Sequence, residues 1–537
     1  MNEKILAAGS RDEFGTRLLQ KQKISQKISE ILNAAEFTPI STPLIERAST
    51  FERMEADDVF HLYDEVGDNL VLRPDLTLPI ARFLAVNRQQ RNFEKLYYIG
   101  DVFRRTAYLS GAYNQETQAG IELIGDASFQ AEITALDTML TFAAAFEIEN
   151  VQVVLSDARF IDAVLASLDI GLELQRALKT AIQQKNISEF ERVRRLIPDF
   201  PPLLAKWPLA FGEPGEALMW QLRDLPVVHD IVAGWLKLAE YTHNKYPNVA
   251  VTIDLAATSP QPYYTGTIIR GFVPSLGQYL FSGGRYDYLL ENFKQEALPA
   301  VGMGLDIETI LAAWQPVPTE NEHQPIVMVL AKGRVEADAR PLLQAAGIDT
   351  SELEHPARKL IFDSQDGKYR FILVKPSDVV KYLDRGIGDV GIVGSDTIAE
   401  EIQAHYDVLD LQTGLAEFVV AAPVGADFNA PHRKRIATKY PKVTTEYFSG
   451  LGEDVELIKL DGSVELAPLT GLADAIVDIT QTGNTLRENQ LEIIEHVRPV
   501  ATHLLVRSGA LLQFQVELSR VISNLNNILQ QQSEDTL

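Results

Sequence analysis

The sequence predicts two fold classes in one chain: an α+β domain on a largely antiparallel sheet, then an α/β domain of two lobes. Three observations predict this. After Phe37, strand-like pieces and polar loops alternate, and they return after a helix-patterned block. Beyond residue 325, short apolar strands alternate with helical stretches, the pattern of parallel α/β layers. Between the two runs QPVPTENEHQP, residues 315–325, with three prolines, acidic residues and no apolar periodicity, which marks a linker.

The first block, 1–314, opens with a helical pattern from Leu18 to Leu32. Strand-like segments follow at VLRPDLTLPIAR, KLYYIGDVFRRT and TQAGIELIG, and later at VAVTIDL, YYTGTIIRGFV and QYLFSGG. A helical insertion is expected at about 128–245, from AEITALDTMLTFAAAF and GLELQRALKTAIQQ. In the second block, 326–510, the strands are IVMVLA, FILVK, VGIVG and AIVDI, and the helical stretches include VEADARPLLQAAG, DVVKYLDRG and TLRENQLEIIEHV. A further switch at EFVVAAP predicts the second lobe, and 511–537 reads as one helix with a polar tail.

At 537 residues the chain exceeds a single core. Its 46 % apolar and 23 % charged residues are those of a folded globular protein. A net charge of −25 repels phosphate backbones, so no nucleic-acid partner is expected. With no cysteine, disulfides and thiolate metal sites are excluded. No apolar run reaches the ~18 residues of a membrane span, and the first residues lack a signal-peptide core. A cytoplasmic protein without membrane attachment is expected.

The most informative segment is ELAPLTGLADAIVDITQTGNTL, Glu465–Leu486. A strand ends at Asp478, and a polar loop, Thr480, Gln481, Thr482, Gly483, Asn484, Thr485, precedes an expected helix. Unpaired N–H groups of such a loop suit a diphosphate, and Asp478 can take ribose hydroxyls or a Mg²⁺ ion. The residues alone leave open a plain strand–turn–helix in which Thr482 or Thr485 caps the helix.

The segment resembles the signature of ATP phosphoribosyltransferases at ten positions: Glu465, Gly471, Ala473, Ile476, Asp478, Ile479, Thr482, Gly483, Thr485 and Leu486. RIATKYP, IKLDGSVELAPL and GIVGSD are similar to the same family. The resemblance implies a short-form catalytic unit with a periplasmic-binding-protein-like pair of lobes, transferring phosphoribose from phosphoribosyl diphosphate to ATP. It implies that Arg334 of AKGR and Arg358 of RKLIF act on the departing pyrophosphate, with Lys332 and Gly333 beside the phosphates. Guanidinium groups stay charged and bind phosphate bidentately, as that chemistry requires. Gln481 and Asn484 stand where many relatives carry an acidic and a basic residue, and Lys375 stands where arginine is frequent.

The first block resembles histidyl-tRNA synthetases, class II in fold, through LRPDLTLPIAR, YIGDVFRRT, TQAGIELIG, YYTGT, GGRYD and PAVGMGLDIETI in that order. The resemblance implies that Asp75, Thr77, Gln118, Glu122, Tyr263 and Tyr264 hold histidine. Three departures imply that aminoacylation is lost: Thr309 follows Glu308 where arginine is usual, Ser259 replaces an arginine before the paired tyrosines, and Thr106 replaces a glutamate after Arg104. The combined expectation is a histidine-sensing regulatory domain fused to the short-form transferase. It would use Mg²⁺ and assemble as a homo-oligomer, tetrameric by the family's habit. Two rival readings remain: a non-catalytic anion-binding module after residue 325, and an active synthetase before it.

Overall fold

The computed structural model describes residues 6–535, apart from 8, 53–58, 88–93, 107–111, 260, 294–295, 315–324, 355–358, 402–404, 427 and 429–432. Arg358 and the expected linker up to residue 324 lie outside the described residues. The chain forms two compact units, Met1–Glu322 and His323–Leu537.

The first unit holds eleven described strands: β1 (Thr38–Pro39), β2 (Ile45–Arg47), β3 (Phe60–Tyr63), β4 (Asn69–Leu72), β5 (Glu94–Phe103), β6 (Gln115–Ile124), β7 (Gln152–Asp157), β8 (Ala250–Ile253), β9 (Thr267–Val273), β10 (Gln278–Arg285) and β11 (Ala300–Asp306). Eight of them form one sheet in the order β1-β5-β6-β11-β10-β9-β7-β8, and β2-β4-β3 form a small second sheet. From β5 to β7 every neighbouring pair is antiparallel. The helix Gly15–Ala34 lies against the large sheet through Ile24, Ile28 and Leu32, which recur every four residues and are fully buried.

The expected helical insertion is not helical throughout. Helices Gln130–Ala145, Phe160–Ala166, Leu172–Gln183, Ile187–Arg194, Glu213–Leu222 and His229–Lys245 are present, but β7 runs among them and pairs with β9 and β8. The cause is the apolar run VQVVLSD, short enough for a buried strand. Two buried tryptophans fasten the helices to this edge: the Trp207 and Trp235 indoles donate to the carbonyls of Leu255 (2.9 Å) and Ser156 (3.1 Å).

The second unit continues with β12 (Ile326–Ala331), β13 (Ile361–Asp363), β14 (Tyr369–Val374), β15 (Val390–Gly394), β16 (His405–Asp410), β17 (Ala416–Pro423), β18 (Arg435–Thr438), β19 (Glu456–Lys459), β20 (Ala475–Thr480), β21 (Leu491–Val500) and β22 (Thr502–Arg507). They make two sheets, β13-β14-β12-β15-β22-β16 and β19-β18-β20-β17-β21. The chain crosses between the sheets twice, at 411–415 and at Ala501. These crossings are bonded to each other, Leu411 N–H to the Thr502 carbonyl and Thr502 N–H to the Thr413 carbonyl (both 2.8 Å). The C-terminal helix Gln515–Asp535 returns to the first sheet's side, where Tyr369 donates to Glu517 and Asn524 donates to the Ala346 carbonyl.

One expected helix is a strand. Only the first four residues of TLRENQLEIIEHV are helical, within the short helix Asn484–Glu488; Leu491–Val500 is β21, antiparallel to β17. Gln490 takes a left-handed φ of 55°, which ends the turn, and Ile493, Ile494, Val497 and Val500 then favour extended backbone. Among the described residues, no helix is long and apolar enough to cross a membrane.

On the edge strand β16 and its neighbour β22, His503 Nδ1 lies 2.9 and 3.0 Å from the two Asp407 carboxylate oxygens. Burial works against the imidazolium, but Asp407 and then Asp410 outweigh it and raise the pKa. A raised folded-state pKa gives stability that is full below about 6.5 and is lost as pH rises through the folded value. Thermal unfolding should therefore show His503→Gln melting lower than the parent at pH 6, with the gap closing by pH 9.

Candidate active site and amino-acid pocket

In the first unit, alternation along β6 puts Glu116, Gln118, Gly120 and Glu122 on one face. The register carries that face across the sheet: Tyr98 opposes Gly120, Gly120 opposes Gly304, and Gly304 opposes Ser282. A cavity of about 220 Å³ opens on it, and its wall includes Asp75, Thr77, Gln118, Tyr263, Tyr264 and Arg104. Five of the six expected histidine-pocket residues are thus brought together.

The sixth, Glu122, lies behind this wall, 1 % exposed. Its carboxylate accepts from Thr77 Oγ1 (2.7 Å) and from the Tyr286 hydroxyl. Burial pushes its pKa up to about 8, although the two hydroxyls oppose the shift. Asp75 accepts from the Leu78 N–H (2.8 Å) at the start of the helix Thr77–Asn87, so it caps that helix as well as facing the cavity. Burial raises its pKa too, while Arg104 and Tyr263 pull it back. Glu116 and Asp306 are also raised, first by burial and then by nearby acids, Glu116 by Asp306 and Asp306 by Glu308. The cavity is acidic, with Arg104 beside it, and so favours a cationic group over a polyphosphate.

The three departures from the synthetase pattern are absorbed locally. Thr309 Oγ1 donates to Asp306 Oδ2 (2.9 Å), Ser259 Oγ to the Gln261 carbonyl (2.7 Å), and Thr106 Oγ1 to Asn114 Oδ1 (2.8 Å). Glu308 is held on the other side by Arg11 (2.6 Å), Lys21 (2.9 Å) and Arg17.

In the second unit, the expected residues sit at the C-terminal ends of parallel strands. Lys332, Gly333 and Arg334 follow β12 and the Thr480–Thr485 loop leaves β20; beside them stand residues not singled out from the sequence, Asp396 after β15 and Lys439 and Tyr440 after β18. Such ends are where open α/β sheets place their ligands. The two sheets meet here: Arg334 Nη1 donates to Gln481 Oε1, and the Tyr440 hydroxyl donates to Asp396 Oδ2 (3.2 Å). Glu400 accepts from the N–H groups of Val443 (2.9 Å) and Lys442 (3.1 Å), capping the helix Pro441–Gly450 from across the cleft.

The loop is shaped by its own bonds. Gly483 has φ 70°, its N–H donates to Thr480 Oγ1 (3.0 Å), and Arg487 donates to the Thr482 carbonyl (2.8 Å) and to Asn484. The helix behind the loop has only five residues, so the expected helix-terminus attraction is replaced by loop N–H groups and hydroxyls. Asp478 is pushed up to about 6, first by burial and then by Glu465 and Asp396, against Lys439. Lys375 begins the neighbouring helix Pro376–Asp384 after β14. Sequence reasoning missed Glu116, Arg487, Tyr440 and Asp396 as site neighbours. Glu116 carried a signal in its two-residue spacing from Gln118; Tyr440 and Asp396 lie within RIATKYP and GIVGSD, the segments similar to the transferase family, and Arg487 carried none.

A class II synthetase-like antiparallel domain with an amino-acid-sized cavity stands ahead of a two-sheet domain whose strand ends carry a phosphate-type loop. Residues 9–310 match the family model described as histidyl-tRNA synthetase, and residues 375–528 match that of ATP phosphoribosyltransferase. The chain belongs to the ATP phosphoribosyltransferase family, enzymes of the first step of histidine biosynthesis, and carries a histidyl-tRNA synthetase-like regulatory portion in front. It is 50 % identical over 202 residues to an ATP phosphoribosyltransferase of Lactiplantibacillus plantarum, covering 38 % of this chain and 93 % of that one. It is 37 % identical over 336 residues to an ATP phosphoribosyltransferase regulatory subunit of Lacticaseibacillus casei, covering 61 % and 86 %. The crystal structure of an ATP phosphoribosyltransferase regulatory subunit/histidyl-tRNA synthetase from Bacillus halodurans shares the fold, with a TM-score of 0.51 at 23 % identity, over 70 % of this chain and 99 % of that one.

A Cβ at Gly302 would collide with the Glu122 carboxylate. Gly302→Ala should therefore cost about 1–3 kcal/mol of stability, read as a lowered melting temperature, and weaken ligand binding in the cavity.

Proposed function

We propose that the cleft of the second unit is where ATP and phosphoribosyl diphosphate react, and that the first unit's cavity senses histidine. The observation that carries the catalytic half is the meeting of Arg334 with the Thr480–Thr485 loop. The two lobes take a periplasmic-binding-protein-like arrangement, supported by two sheets joined by two adjacent crossings.

The adenine N1 lone pair forms a bond to ribose C1 as the bond from C1 to the pyrophosphate oxygen breaks, and its electron pair leaves with pyrophosphate. Positive charge gathers on the ribose and negative charge on the leaving group, so fixed electrostatics and positioning supply the rate. Thr480, Gln481, Thr482, Gly483, Asn484 and Thr485 hold the sugar phosphate. Asp478 and Glu465 take the ribose hydroxyls. Arg334, with Arg358, stabilises the departing pyrophosphate, and Lys332 and Gly333 face the phosphates. Asp478 and Glu465 fit a Mg²⁺ ion arriving with its phosphates, since that ion takes few protein oxygens and keeps phosphate ligands. Bound there it would shield the phosphate charge.

Asp75, Thr77, Gln118, Tyr263 and Tyr264 contact histidine, and Glu122 orders Thr77 from behind. The acidic wall suits an ammonium and an imidazole, and the local bonds of Thr309 and Ser259 leave no arginine, and that of Thr106 no glutamate, for adenylate chemistry at those places. For histidine to inhibit, it must bind the active and inactive states unequally. The working form is a homo-oligomer, tetrameric, in which fusion fixes the ratio of the two portions.

Formation of phosphoribosyl-ATP, followed by ultraviolet absorbance with ATP, phosphoribosyl diphosphate and Mg²⁺, should occur and should fall with millimolar histidine. Turnover indifferent to histidine would remove the sensor and keep the transferase; no turnover would remove the catalytic reading. Arg334→Ala should lower kcat by about 10²–10³, the usual loss for one charge-stabilising donor. Since Asp478 titrates at about 6, kcat/KM for phosphoribosyl diphosphate should fall as pH drops below 6, where its carboxylate is protonated. Asp478→Asn should flatten that limb of the profile.

A further inference from the structure

An amino acid carries two opposite charges, and the cavity of the first unit offers acids in plenty. Asp75 and Asp306 are on its wall, and Glu116 shares the same sheet face. Arg104, also on the wall, has its Nε–H committed to the Pro74 carbonyl (2.9 Å) and counters Asp75 and Glu116. A bound carboxylate needs a cation that is not already neutralised.

Arg270 on β9 supplies one. It stands opposite Ser282 of β10, which in turn stands opposite Gly304 of β11; both line the cavity, so Arg270 projects from the cavity's face of the sheet. One terminal N–H donates to the Thr258 carbonyl. The guanidinium carbon lies 5.5 Å from the ring centre of Tyr279, another wall residue. The positive charge also acts on the Tyr264 hydroxyl. Its Nε is buried and has no hydrogen-bond partner among the described residues. A buried donor left unmatched costs free energy, and a ligand oxygen that meets it recovers that cost.

We infer that Arg270 binds the α-carboxylate of the amino-acid ligand, through Nε–H and its free terminal N–H groups, beside Ser282. Arg270 is then a specificity residue: it confines the cavity to amino acids with a free carboxylate and excludes their amines and amides. The inference rests on the reading of the cavity as a histidine pocket.

Isothermal titration of the full chain with L-histidine and with histamine tests it, because histamine keeps the imidazole and the amine and lacks the carboxylate. The unaltered protein should bind histidine at least about tenfold more tightly than histamine, as a charge-assisted bidentate contact gives. Arg270→Ala should bind both alike, near the level of histamine, and Arg270→Lys should keep part of the preference. Retained phosphoribosyl-ATP formation and an unchanged melting temperature would show that each variant is folded. An Arg270→Ala protein that keeps the full preference for histidine would overturn the assignment. Failure of the unaltered protein to bind histidine at all, with transferase turnover intact, would overturn the pocket reading and this assignment with it.

Discussion

A carboxyl group with no access to water governs the architecture of the first unit. Glu122 can stay inside the sheet only if hydroxyls meet its oxygens, and Thr77 and Tyr286 do so from two elements distant in sequence. That requirement fixes where the helix Thr77–Asn87 starts and where β10 ends. It also demands an empty volume on the neighbouring strand, which Gly302 provides by having no side chain. The cavity wall is therefore set from behind, by a group that does not line it. Asp75 shows the same economy, serving as helix cap and as wall.

The second unit arranges charge by topology instead. Its parallel strands all end at one place, so β12, β15, β18 and β20 deliver their loops to a common cleft without long side chains having to reach. Asp478 on β20 and Arg334 just after β12 then belong to opposite sheets. The Gln481 amide is a neutral partner for Arg334, whose charge is met from its own helix by Asp338 at 3.3 Å. A carboxylate in place of Gln481 would hold it more tightly.

Much of this was legible in the sequence, because periodicity and loop chemistry are local. The strands AIVDI and IVMVLA, the loop TQTGN and the helix from Leu18 carried their own signals. LEIIEHV did not, since glutamate and leucine favour helix while isoleucine and valine favour strand, and pairing with β17 decided the matter. VQVVLSD was hidden by helical sequence on both sides. Register was wholly out of reach: nothing local tells that Arg270 and Ser282 stand side by side, or that Glu122 turns to Tyr286 rather than to the cavity. Nor could spacing show that Arg487 would brace the loop from within.

The paired crossings of the second unit carry one more consequence. Because the chain leaves the first sheet and rejoins it at hydrogen-bonded neighbours, Leu411 and Thr502, the whole second lobe is a loop with its ends already closed. Closing a loop costs little more when it is long than when it is short. The strand β22, which completes the first sheet between β15 and β16, comes only after that excursion. A ribosome must finish the second lobe before the first can close its sheet, and the helix Gln515–Asp535 comes only after both.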